Sequence, residues 1–90
     1  MSLEERFEEA TKKSKTLPHQ SNENLLKIYS LFKQATQGDV SGARPGGFDF
    51  KGMAKYDAWA GHKGKSQDQA REEYIEMIDN LAGWDVEKSQ

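Results

Sequence analysis

Between Ser21 and Gly38 the chain reads as one helical pattern that carries more apolar surface than a single core stripe requires. A helix turns by about 100° per residue, which gathers Ile28, Leu31 and Ala35 into one sector. Tyr29, Lys33, Leu26 and Thr36 fall into another, with Leu25 and Phe32 between the two. A helix that only capped a core would need the first sector alone. The second mixes aromatic, aliphatic and cationic side chains, so it has to face something else. Ser21 offers a capping hydroxyl and Glu23 a carboxylate for the positively polarised first turn, while Gly38 is a natural stop.

The rest of the chain is punctuated in the same way. Ser2 with Glu5 makes a capping box, so a first helix opens at Leu3 and presents Leu3, Phe7, Ala10 and Ser14 on one face. It should end before Leu17, because the residue preceding Pro18 is biased away from helical geometry. His19 to Asn22 reads as a polar connector. Residues Asp39 to Gly47 are glycine-rich, with turn signals at Arg44-Pro45-Gly46-Gly47, and form a long irregular connection of a kind that is often functional. A third, short helix is expected from about Lys51 to Gly61, carrying Met53, Lys55, Tyr56 and Trp59. Ser66 with Gln69 forms a second capping box. It opens a fourth helix through Ala82 with Ala70, Tyr74, Met77, Ile78 and Leu81 on one face, and Gly83 as terminator. No strand pattern of useful length and no internal repeat is present, so the expectation is an all-α fold of four helices in a single domain over residues 1–90.

Bulk properties narrow the function. With 13 basic and 15 acidic residues the formal net charge is −2, which speaks against a general binder of nucleic acid or membrane surfaces. An anionic partner would have to meet a local basic cluster. There is no cysteine, hence no disulfide, thiolate or cysteine-based zinc chemistry. The start, Met1-Ser2-Leu3-Glu4-Glu5-Arg6, is charged where a signal peptide is apolar, and no run approaches the roughly 20 apolar residues of a membrane span. A cytoplasmic, soluble protein is expected. His19 and His62 read as surface residues without metal-ligand spacing, and Glu8-Glu9 and Glu72-Glu73 as solvated helix faces. The glycines do not match a P-loop, and no nucleophile with a positioned base is evident, so no catalytic residues and no metal site are expected.

Tyr29 and Lys33 are neighbours at i, i+4, and Lys55 and Trp59 repeat that spacing on the third helix. Lys51 and Arg44 lie in or beside the glycine-rich loop. Taken singly, the lysines read as solvated charges, Tyr29 as half-buried, and Trp59, Phe50 and Met53 as core rather than ligand contacts. Taken together they outline a basic, ring-edged pocket beside an apolar groove, suited to a ligand with anionic groups, a flat ring and an apolar tail.

The run Tyr29-Ser30-Leu31-Phe32-Lys33-Gln34-Ala35-Thr36-Gln37-Gly38-Asp39 resembles the signature YSxYKQATxGD of the acyl-CoA-binding protein family. Arg44-Pro45-Gly46, Asp49-Phe50-Lys51-Gly52, Ala54-Lys55, Asp57-Ala58-Trp59, Lys63-Gly64, Ser66, Ala70 and Tyr74-Ile75 follow in that family's order, so the resemblance covers nearly the whole chain. It implies a four-helix bundle of up-down-down-up topology. It also implies a monomeric, non-enzymatic carrier that binds medium- to long-chain fatty acyl-CoA thioesters with high affinity and forms an intracellular pool of them for lipid metabolism. No cofactor, metal, nucleic acid or stable membrane insertion is implied. By the same resemblance Tyr29, Lys33 and Lys55 hold the 3′-phosphate and adenine of CoA, Tyr74 helps to line the site, and Lys15 lies near it. Lys51 is a lesser candidate, Leu25 and Leu26 flank the acyl chain, and Phe32 offers a stacking face. Lysine ammoniums suit phosphates as point charges, and apolar burial contributes about 0.8 kcal/mol per methylene.

Three departures stand out. Phe32 replaces the family's second tyrosine and lacks its hydroxyl, Tyr56 stands where tryptophan is common, and the connector after the first helix is short, which bears on Lys15 and Leu17. Two other readings use the same residues. One is a thioesterase or acyltransferase acting on that ligand; the other is a docking face on the second helix for a partner helix.

Overall fold

Four helices form where capping groups and apolar stripes place them: α1 (Leu3–Ser14), α2 (Asn22–Gln37), α3 (Phe50–Ala60) and α4 (Gln67–Lys88). The structure, a computed structural model, describes the backbone of residues 1–88 and the side chains of residues 1–83. Residues 89 and 90, the end of the expected 1–90 domain, lie outside the described residues. The capping box of α1 is reciprocal: the Glu5 amide donates to Ser2 Oγ at 3.1 Å and the Ser2 amide to Glu5 Oε1 at 3.2 Å. Ser21 Oγ accepts the Asn24 amide (3.1 Å) at the start of α2, and Ser66 Oγ the Gln69 amide (3.0 Å) at the start of α4.

Two boundaries differ from expectation. Helix α3 begins at Phe50 rather than Lys51, because the Asp49 carboxylate caps it by accepting the Gly52 amide at 3.0 Å. Helix α4 passes through Gly83 and continues to Lys88 instead of ending at Ala82. Glycine terminates a helix when its φ turns positive, as Gly38 does at 79° after α2; Gly83 keeps negative φ and simply occupies a helical position.

Pairing between helices defines the topology. Lys13 of α1 meets Asp79 of α4 at 3.0 Å, and Phe7 lies against Tyr74, so α1 and α4 run in the same direction. The end of α2 meets the start of α4, where Gln67 Nε2 donates to the Ala35 carbonyl, while Lys27 near its beginning shares a surface hollow with Asn80. Those two are antiparallel. Helix α3 runs parallel to α2: Leu26 and Tyr29 face Phe50 and Ala54 at one end, and Trp59 Nε1 donates to the Gly38 carbonyl at the other (2.8 Å). The bundle is therefore up-down-down-up. Its parallel step explains the long connection, since the chain must travel back the length of α3, about 16 Å for 11 residues, before α3 can start.

The core is made by three helices. Phe7 and Ala10 from α1, Leu31 and Ala35 from α2, and Ala70, Tyr74, Ile75 and Ile78 from α4 form one buried cluster. Leu3, Leu17, Ile28 and Met77 pack around it. Phe7 and Tyr74 meet edge to face with centroids 5.0 Å apart, a geometry worth about 0.5–1.5 kcal/mol beyond area burial. Among the described residues α3 packs on α2 alone, and Trp59 is its one buried side chain.

A polar strip on α2 closes the junction with the turn before α4. Gln34, fully buried, donates from Nε2 to the Lys65 carbonyl (2.7 Å) and to Asp39 Oδ1 (3.0 Å), while its Oε1 has no partner among the described residues. Asp39 Oδ1 also accepts the Gly64 amide at 2.8 Å; that bond first, then the one from Gln34, holds the carboxyl below its ordinary value. His62, expected at the surface, is instead partly buried between Ser30 and Lys65. Its Nδ1 lies 3.1 Å from Lys65 Nζ, which can only donate, so Nδ1 accepts and the ring proton sits on Nε2, which donates to Ser30 Oγ (2.9 Å). Ser30 Oγ donates onward to the Lys27 carbonyl at 2.9 Å, and Lys65 Nζ to Glu73 at 2.6 Å.

Burial, and next the Lys65 charge, lower the His62 pKa below 6.5, while Glu73 pulls the other way. The unfolded chain then takes up a proton before the folded one does. The stability that neutral His62 contributes is present above about pH 6.5 and is lost as pH falls through the lower folded value. His62→Gln should remove this slope: urea midpoints at about pH 7.5 and about pH 5.5 will lie closer together in the variant than in the parent protein.

Candidate functional site

Because α3 leans on α2 without a further layer over it, the second apolar sector of α2 is only half covered. Asn22, Leu25, Leu26 and Tyr29 of α2 and Phe50, Lys51, Ala54 and Lys55 of α3 line an open groove of about 430 Å³. That lies within the roughly 300–1,000 Å³ usual for small-molecule sites. Leu25 is 50% exposed and Phe50 67%, so the walls are apolar and open to solvent. Phe50, expected in the core, is at the groove mouth for a local reason. It is the first residue of α3, and α3 meets no element beyond α2 among the described residues to bury it.

The basic edge is built by pairing cations with rings. Lys55 Nζ sits 5.2 Å from the centroid of the Tyr29 ring, and Lys33 Nζ 4.8 Å from that of Trp59. Each contact is worth about 0.5–1 kcal/mol at an exposed position and holds the ammonium over a ring face. Among the described residues Lys33, Lys51 and Lys55 make no ion pair with a carboxylate. Lys12, Lys13, Lys27 and Lys65 do, on other parts of the surface. A positive edge thus exists on a chain of net charge −2.

Arg44 does not join that edge. Its Nε and Nη2 donate to the two Asp57 oxygens, both at 2.8 Å, which lowers the Asp57 carboxyl pKa and raises that of the guanidinium. Together with the Tyr56 hydroxyl donating to the Gly42 carbonyl (3.1 Å) and Trp59 donating to Gly38, this fork fastens the glycine-rich connection to α3. Tyr56, the departure from the family's common tryptophan, thus bonds the loop through its hydroxyl.

Of the residues singled out from sequence, Leu26, Tyr29, Lys51 and Lys55 meet in the groove, and Lys33 stands one turn beyond Tyr29. Phe32 is round the corner, 39% exposed, its ring stacked at 6.1 Å and 20° on Phe7. Tyr74 lies behind it, only 2% exposed, with ring centroids 6.3 Å apart. Burial raises the Tyr74 pKa, against a smaller lowering by its hydrogen bond with Ser14. Lys15 follows Ser14 as the C-cap of α1, exposed and outside the groove lining. Asn22, Phe50, Ala54 and the seat that Trp59 gives Lys33 were not anticipated. Asp49 with Gly52 three residues on was the signal that could have placed Phe50 in a first helical turn.

A larger hollow of about 560 Å³ lies between α1 and α4, lined by Arg6, Glu9, Lys12, Lys13 and Asp79 among others. Its two lysines already face carboxylates at 3.6 and 3.0 Å, so an incoming anion would have to displace formed pairs to reach them. Among the described residues no group of three or more His, Asp or Glu could hold a metal ion, and no helix is long and apolar enough to cross a membrane.

Groove, ring-mounted ammoniums and an all-α frame define a helical binding protein for an anionic amphiphile. The family model for acyl-CoA-binding protein matches residues 4–78, and the chain belongs to that family. It is 50% identical over 82 residues to acyl-CoA-binding domain-containing protein 1 of Oryza sativa subsp. japonica, covering 90% of each chain. To acyl-CoA-binding protein of Ricinus communis it is 48% identical, covering 92% of this chain and 93% of the relative. The crystal structure of Oryza sativa acyl-CoA-binding protein 2 superposes with a TM-score of 0.91 at 44% identity over 94% of this chain and 96% of that one. That of the protein from Moniliophthora perniciosa gives 0.84 at 36% identity, covering 93% and 83%.

Two substitutions separate frame from groove. Trp59→Phe removes the bond to Gly38 and should cost about 1 kcal/mol in urea unfolding. Phe50→Ala, at an exposed position, should stay within about 0.5 kcal/mol of the parent.

Proposed function

We propose that the chain is a single acyl-CoA-binding domain over residues 1–90 that captures medium- to long-chain fatty acyl-CoA thioesters and carries them as a monomeric cytoplasmic pool former. One observation carries this reading: an apolar groove lined by Lys51 and Lys55, with Lys33 one turn beyond, all three without carboxylate partners among the described residues. Family membership supports it, since the family is one of binding proteins.

In this reading the head of the ligand is held by charge and the tail by exclusion of water. Lys33 and Lys55, held over Trp59 and Tyr29, supply ammoniums to the phosphates, and the Tyr29 hydroxyl adds a hydrogen bond. The exposed face of Phe32 stacks on the adenine; Phe7 and Tyr74 behind it keep that ring from turning away. Lys51 serves the rim beside Lys55, and Lys15 the far edge beyond Ser14. Leu25, Leu26 and Phe50 cover the acyl chain, each methylene withdrawn from water contributing about 0.8 kcal/mol. Affinity should therefore rise with chain length, and neither bare CoA nor the free acid should bind comparably. No cofactor is needed for reversible capture, and no bond is made or broken.

Calorimetric titration with palmitoyl-CoA, CoA and palmitate tests the reading directly; equal affinities for the three would end it. Lys33→Glu should weaken palmitoyl-CoA binding at least about tenfold, roughly 1.4 kcal/mol, with an unchanged helical circular dichroism signal. Incubated with palmitoyl-CoA and a thiol reagent, the protein should release no CoA above the spontaneous rate; steady release would favour a thioesterase instead.

A further inference from the structure

Phe48 has no task in the site described. It is 93% exposed, in the turn that begins at Gly47, whose φ is 65°. Its ring meets that of Phe50 edge to face, with centroids 6.4 Å apart at 75°. Phe50 is itself a groove residue, so the two rings form one protruding apolar lip continuous with the α2–α3 groove. Leu25, half exposed on the opposite wall, extends it. Holding two phenylalanines in water is unfavourable, and neither the core nor the groove requires Phe48 to be apolar.

Resting on the acyl-CoA reading above, we propose that the Phe48–Phe50 lip, with Lys51 and Lys55 beside it, is a contact surface for an anionic phospholipid leaflet, through which the groove takes up or releases acyl chains. Three features select this occupant. Phenylalanine rings on an apolar face enter the boundary between headgroups and acyl chains, a deformable phase that needs no matching pocket. Lysines at the lip can keep their ammoniums among anionic headgroups while their stems lie along apolar surface. The lip is also the mouth of a groove for an acyl chain, and a leaflet is where free long acyl chains partition. The lone carboxylate within the lip, Asp49, is turned back to cap α3 and interacts with the Gly52 amide there. A partner helix would have to lie in the α2–α3 groove itself, which the acyl-CoA reading gives to the ligand, and Phe48 stands outside that groove. With a net charge of −2 the whole chain does not adsorb to such surfaces by charge, so the contact is local and brief.

The test uses the full chain and vesicles of phosphatidylcholine with or without phosphatidylglycerol, loaded with palmitoyl-CoA. Pick-up is followed by stopped flow as vesicle concentration is raised. For the parent protein the rate should climb with vesicle concentration, and more steeply with phosphatidylglycerol present. Phe48→Ser should slow pick-up about tenfold while leaving the Kd for palmitoyl-CoA in solution unchanged, since Phe48 is outside the groove lining. Equal rates for the two proteins, or rates independent of vesicle concentration, would mean uptake by desorption into water and would overturn the proposal with the carrier reading intact. Failure of the parent protein to bind palmitoyl-CoA in solution would instead strike the carrier reading itself.

Discussion

The packing of Leu31 and Ala35 of α2 against α4 is the contact on which everything else depends. It buries one face of α2 in a three-helix core and thereby fixes the rotation of that helix about its axis. With the rotation set, Leu26, Tyr29 and Lys33 must emerge on the far side. A helix turned by half a turn would bury Tyr29 and expose Ala35, and the groove would cease to exist. The groove face of α2 is therefore a by-product of core packing in the strict geometric sense: one helix, two sectors, a single rotational setting.

Helix α3 is held to this frame more lightly than the other three are held to one another. Its attachments are largely at its later half and in the connection before it: Trp59 to Gly38, Tyr56 to Gly42, and Arg44 to Asp57. The first turn, with Phe50 and Lys51, has only the Asp49 cap and its contacts across the groove. A groove that is closed at one end and slack at the other admits a long chain without requiring the core to open. Stability is concentrated in α1, α2 and α4, and adaptability is left to the α3 wall of the groove.

Electrostatics follows the same division. Lys12, Lys13, Lys27 and Lys65, away from the groove, are paired with carboxylates, while Lys33 and Lys55 are mounted on rings, which hold an ammonium in place without neutralising it. Such an ammonium remains available to a phosphate. The polar strip of Ser30, Gln34 and His62 does the reverse: its donors and acceptors are largely used up internally, locking the turn before α4 to α2.

By itself the sequence determined four helices, most of their caps and the double sector of α2, because capping and 3.6-residue periodicity are local properties written in residue type. Tyr29, Lys33 and Lys55 were legible through spacing and through likeness to a known family. Others were not, since burial is set by neighbours distant along the chain: Phe50 left in solvent by the thinness of the α3 layer, His62 drawn inward by Ser30 and Lys65, Arg44 diverted to Asp57, Gly83 kept helical. Capping and periodicity left open that α2 and α3 run parallel; likeness to a family implied it, and the tertiary structure decides it, and with it that a long loop must return the chain. That choice puts the open ends of both helices on one side, where their half-covered apolar residues face each other as a groove.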